Sequence, residues 1–64
     1  MPVYELRFTD GRPAEQVVAD RWESQGTALV FTSSQLVMNR PRDVVARRVP
    51  AGEVQEVRLA SVSG

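Results

Sequence analysis

Hydrophobic and polar residues alternate from Val3 to Thr9, with Tyr4, Leu6 and Phe8 on one face and Glu5, Arg7 and Thr9 on the other. That period of two is the signature of a half-buried β-strand. Asp10-Gly11-Arg12-Pro13 stops it with turn chemistry and predicts a hairpin into a long second strand, Ala14 to Glu23. Alternation fails once inside this second strand. Val17 and Ala19 suit the core on one parity, whereas Val18 and Trp22 suit it on the other and bring Asp20 with them. A bulge near Asp20-Arg21 would return Val17, Ala19 and Trp22 to one side, with the Asp20 carboxylate accepting backbone hydrogen bonds or pairing with an arginine. Gly26 can supply the positive φ of a second hairpin turn. With Gln25-Gly26 as its two-residue loop, Trp22 stands opposite Leu29 and Asp20 opposite Phe31, so Trp22, Leu29 and Phe31 share a face. The expected core anchors are Tyr4, Leu6, Phe8, Trp22, Leu29 and Phe31.

Beyond Thr32, Ser33-Ser34 permits a turn or kink before the short apolar run Leu36-Val37-Met38. Asn39 to Asp43, interrupted by Pro41, reads as an exposed loop. Val44 to Val49 is strand-like, Pro50 to Glu53 suits a single 3₁₀ turn, and Val54 to Leu59 forms a last strand with Val57 and Leu59 inward. Consecutive valines, and the lack of an apolar 3.6-residue period over three turns, argue against helices. The prediction is a single all-β domain over residues 1–60, followed by a frayed tail, 61–64.

Five or six short antiparallel strands, one long bent strand and a single 3₁₀ turn before the last strand form a pattern that resembles the SH3-like (Sm-like) small barrel. At the level of whole sequence the chain resembles small uncharacterised proteins of actinobacteria and their phages. The likeness lies in Phe8-Thr9-Asp10-Gly11, Ala19-Asp20-Arg21, Leu29-Val30-Phe31, Val44-Val45-Ala46-Arg47 and Val49-Pro50-Ala51. It implies a fold and an origin, and brings no activity with it.

Size sharpens the picture. With 64 residues, 42% of them hydrophobic and only four aromatic, the core is thin and rests largely on Val and Leu. No cysteine is present to staple it, which leaves regular strand packing or self-association as sources of stability. The start Met1-Pro2-Val3-Tyr4 lacks the basic and apolar regions of a signal peptide, and no apolar run is long enough to span a bilayer. A cytoplasmic protein with no membrane partner is expected.

All eight basic residues are arginine, balanced by eight acids to zero net charge. The balance is uneven along the chain. Residues 1–39 hold three arginines against five acids, whereas 40–48 hold Arg40, Arg42, Arg47 and Arg48 against Asp43 alone. With no histidine, cysteine or lysine, the usual general bases, nucleophiles and soft metal ligands are lacking, and no carboxylates pair on one face. Neither an enzyme nor a metal or cofactor site is expected. The first reading is a non-enzymatic interaction module that binds a protein partner, or a second copy of itself, through a strand edge or the arginine loop. The alternative is a small nucleic-acid-binding regulator using Arg40, Arg42, Arg47 and Arg48, although the acidic frame weakens long-range attraction to phosphate. A third is a phage-encoded protein that disables a host factor or sequesters a small ligand.

Overall fold

The computed structural model describes residues 2–62. Six strands form two three-stranded antiparallel sheets: β1 (Pro2–Phe8), β2 (Glu15–Val18), β3 (Arg21–Gln25), β4 (Ala28–Val37), β5 (Arg40–Pro50) and β6 (Val54–Val62), with a 3₁₀ turn, Ala51–Glu53, before the last. The first sheet has the order β2-β1-β6 and the second β3-β4-β5. The all-β class and the single 3₁₀ turn are as the sequence predicts.

Closure into a barrel is not. Among the described residues no backbone ladder joins the two sheets. They are tied instead at two corners. At one, the Ala19 N–H reaches the Pro2 carbonyl of the first sheet at 3.2 Å, and the next N–H, of Asp20, reaches the Thr32 carbonyl of the second at 2.9 Å. At the other, the 3₁₀ turn is pinned on both sides, with Ala51 N–H donating to Thr27 at 2.8 Å and Thr9 N–H to Glu53 at 3.0 Å.

The predicted long second strand is therefore two strands that serve different sheets. The break at Ala19-Asp20 does what a bulge was expected to do, since Val17 and Ala19 are buried and Trp22 stands on the core side of its own sheet. Asp20 completes the corner with its side chain, which accepts the Ser34 N–H at 2.6 Å. The expected backbone role of that carboxylate is what the structure shows.

The β3–β4 hairpin turns at Gly26-Thr27, one residue later than predicted, which pairs Gln25 with Ala28 and Trp22 with Phe31. Gly26 has φ +61 and Thr27 does not share a positive value, the pattern of a type II′ turn, which needs glycine first. The slip moves each pair by two residues, so Trp22, Leu29 and Phe31 still share a face. Phe31 is fully buried between Tyr4 (ring centroids 5.8 Å apart) and Trp22 (5.9 Å, stacked). Leu6, Phe8, Val17, Ala19, Leu29 and Val49 complete the core around it. Tyr4 is half-buried. Trp22 retains 39% of its exposure, because β3 is an edge strand and the first sheet does not cover it, so the indole roofs Phe31 where the sequence placed it at the centre. Val30, on the opposite face of β4, is nonetheless buried, flanked in the ladders by Glu23 and Arg48, residues whose long aliphatic stems suit covering it.

Further differences concern the second half, where Leu59, expected inward, is 54% exposed. Ser33-Ser34 makes no turn; β4 runs straight through to Val37 and meets β5 in one long hairpin. The tail expected to fray begins as strand, with Ser61 paired to Val3 and Val62 to Pro2, while Ser63 and Gly64 lie outside the described residues.

Phe31→Ala is expected to cost about 3–5 kcal/mol, close to the whole stability of so small a domain, whereas Trp22→Ala should cost roughly 1–2 kcal/mol for a half-exposed ring stacked on one side. Urea titrations followed by circular dichroism decide the order, and a Trp22 variant as damaged as the Phe31 variant would contradict this core. Gly26→Val should lower stability by about 1–2 kcal/mol, because valine is strained at positive φ; an unshifted melting temperature would contradict the turn.

Candidate functional site

The segment read as an arginine loop is the outer half of the β4–β5 hairpin. Its turn, Met38-Asn39, has φ of 53 and 62 and joins Val37 to Arg40 with a two-residue loop, the type I′ pattern that matches strand twist. Pro41 escapes the usual penalty because β5 is an edge strand. In a ladder that closes at Val37–Arg40, Pro41 occupies a position whose N–H would point away from β4.

This hairpin projects from the body as an arm. Every residue from Ser34 to Arg48 is exposed, Leu36 to 77% and Met38 to 93%. The Cα radius of gyration is 12.5 Å, against about 10.7 Å for a compact chain of this length.

The register sorts the four arginines. Arg40, Arg42 and Arg47 stand opposite Val37, Gln35 and Phe31, on the face that carries the core further down the sheet. Arg48 stands opposite Val30, on the other face. A bulge at Ala46, between the pairs Phe31–Arg47 and Thr32–Val45, makes Arg42 and Arg47 share a side although they differ by an odd number of residues. Sequence parity alone could not show this.

Arg47 is already engaged. Its guanidinium grips Glu15 of β2 with two hydrogen bonds, 2.7 and 3.2 Å long, and so links the two sheets where no ladder does. The hydrogen bond from Arg47 holds the Glu15 carboxyl below the usual carboxylate range against the opposing effect of burial, and raises the Arg47 guanidinium in turn. Asp43 is likewise taken, by Arg21 at 2.8 Å across the outer face of β4. Among the described residues, Arg40, Arg42 and Arg48 form no ion pair.

A second feature lies on the first sheet, a shallow cleft of about 280 Å³ lined by Glu5, Arg7, Phe8, Arg12, Ala14 and Gln55. Its cations are spoken for. Arg12 pairs with Asp10 at 2.7 Å and Glu53 at 2.6 Å while lying 4.2 Å over the Phe8 ring, and Arg7 faces Glu5 at 3.8 Å. The Arg12 backbone N–H and side chain together hold Asp10 below the usual carboxylate range. The cleft is thus a folded-down loop on a strand face.

Among the described residues no group of three potential metal ligands occurs, and no helix is long and apolar enough to cross a membrane. No protein-family model, curated protein or solved structure matches the chain. The arm carries accessible arginines that no acid engages among the described residues.

Because the folded value of Glu15 lies below its ordinary value of 4.5, its ionised form stabilises the fold above that pH, and this contribution is lost as pH falls through the lowered folded value. Glu15→Gln should therefore lower stability at neutral pH by only about 0.2–1 kcal/mol, as befits a solvent-screened pair, and should flatten its decline in acid. Urea midpoints measured from about pH 7 down to about pH 3 check both effects; identical acid slopes would remove the pair from the account.

Proposed function

We propose that the chain is a small cytoplasmic, non-enzymatic interaction module of SH3-like architecture that holds a protein partner on the β4–β5 arm. The architectural part is supported by a bent second strand divided between two sheets and by the 3₁₀ turn before the last strand. The resemblance to small actinobacterial and phage proteins bears on fold and origin and brings no role with it.

One observation carries the binding role. Arg40 and Arg42 project, without acidic partners among the described residues, from the same face as the exposed Val37 and Val44. A surface that alternates guanidinium and apolar groups in this way is complementary to a partner carrying carboxylates beside aliphatic side chains. Arginine suits the task through bidentate geometry.

The nucleic-acid reading draws less from the same geometry. A two-stranded ribbon can enter a major groove, but Arg47 is neutralised by Glu15 and Arg48 faces the other way. Two phosphate contacts would remain, giving a log–log salt slope of only about −2.

The Arg40→Glu/Arg42→Glu variant should fold like the wild type and lose roughly tenfold or more of its capture of an acidic partner in affinity purification from the source organism. Equal capture by both proteins would overturn the reading. Retention on DNA at low salt that vanishes in an Arg40→Ala/Arg42→Ala variant would transfer the arm to nucleic acid.

A further inference from the structure

The two long edges of the arm are unlike each other. The outer edge of β5 is guarded by Arg40, Pro41, Arg42 and the Ala46 bulge, the devices that discourage strand addition. The remaining edges carry charge as well: Glu15 on β2, Arg21 and Glu23 on β3, and Glu56 and Arg58 on β6. β4 past Thr32 is the exception. β3 ends its pairing at Thr32, so Ser34-Gln35-Leu36-Val37 forms an edge with no charged side chain or proline of its own, and the Asp20 carboxylate covers it only at the Ser34 N–H.

The direction of its backbone groups is known. Ser34 N–H points out of the hairpin, since Asp20 receives it, and the two-residue period sends Leu36 N–H and C=O the same way, one step nearer the tip. Among the described residues, no backbone bond outside the hairpin ladder reaches Leu36. A two-stranded ribbon of this kind is marginal in water without a further strand.

We infer that this edge pairs with the same edge of a second copy, antiparallel across a two-fold axis at Leu36, making a continuous β5-β4-β4-β5 sheet. The inference takes from the preceding reading only that the arm is the contacting element. Charge favours a second copy in this register. Leu36 meets its twin and Gln35 meets Val37, the Ser34 N–H stays with Asp20, and no like charges stand opposite each other. The two β5 strands then lie three strand spacings apart, about 14 Å, beyond the screening length of about 8 Å at physiological salt, so the arginines of one copy barely feel those of the other. Pairing through β5 would instead bring arginine edges together and meet Pro41.

The area sets the strength. The chain exposes 4537 Å², against about 4,100 Å² for a compact monomer of its mass, and even burial of that whole excess, about 450 Å² per copy, would give a contact below the standard range. The dimer is therefore weak and concentration-dependent, and it leaves both arginine edges free for another partner.

Sedimentation velocity from about 10 µM to about 1 mM should show the mean mass rising towards twice that of the chain. Leu36→Pro should stay monomeric with an unchanged far-ultraviolet spectrum, because a proline there removes an outward N–H and no hairpin bond. The register has its own test. Leu36→Cys should form a linked dimer on mild oxidation, since directly opposed residues of a hydrogen-bonded antiparallel pair have Cα atoms about 5.5 Å apart, whereas Asp43→Cys, on the β5 edge, should not. If the proline variant fails to fold, the two cysteine variants decide. A wild-type protein still monomeric at the highest concentration, or linkage through Asp43→Cys and not Leu36→Cys, overturns the inference. A monomer that captures its partner through Arg40 and Arg42 would sink self-pairing alone. A Leu36-linked dimer indifferent to Arg40→Glu/Arg42→Glu would sink the preceding reading alone.

Discussion

The peptide between Ala19 and Asp20 is the constraint on which the molecule depends. Consecutive N–H groups there bond to different sheets, Ala19 to Pro2 and Asp20 to Thr32, so one run of chain lies along both. The handover has two consequences. It lays Val17 and Ala19 against the core, and it ends the cover over β4 at Thr32. The Asp20 carboxylate satisfies the first exposed N–H beyond that point, at Ser34, and among the described residues nothing similar reaches Leu36. The corner that assembles the core thereby creates the arm's unguarded edge.

Economy of core follows from chain length. Among the described residues seven buried apolar side chains form the core cluster, with Phe31 at their centre and the aromatic rings of Tyr4 and Trp22 on either side. A residue spent on the arm is one withheld from this cluster. The arm nevertheless takes the outer half of the two longest strands and displays Leu36, Val37 and Met38 to solvent, an arrangement that folding alone does not reward. Met38 makes the point locally, because a side chain at φ 53 occupies a conformation that asparagine or glycine would adopt more readily.

Electrostatics divide the chain in a way its zero net charge conceals. Five acids, Glu5, Asp10, Glu15, Asp43 and Glu53, are engaged by Arg7, Arg12, Arg21 and Arg47. These pairs are exposed and individually weak, so their main effect is to fix where charge is cancelled. Cancellation is concentrated on the body and at the base of the arm, and Arg40 and Arg42 near its tip stand apart from it.

Local chemistry, read from the chain alone, determined the alternating first strand, the turn at Asp10-Gly11, the hairpin around Gly26, the 3₁₀ turn after Pro50 and the all-β class. Each of these rests on φ preference or a two-residue period that neighbouring residues carry themselves. Tertiary packing decided the remainder. Whether Trp22 is enclosed depends on which strand lies at an edge, and whether Arg42 and Arg47 share a face depends on a bulge opposite Phe31. Whether Asn39 to Asp43 is loop or strand depends on Pro41 falling where its nitrogen faces outward. The separation of two sheets in place of a closed barrel depends on where β2 and β5 lie, and there an ion pair stands in for a ladder. All of these are relations between residues distant in sequence, and the periodicity of a single segment carries no information about them.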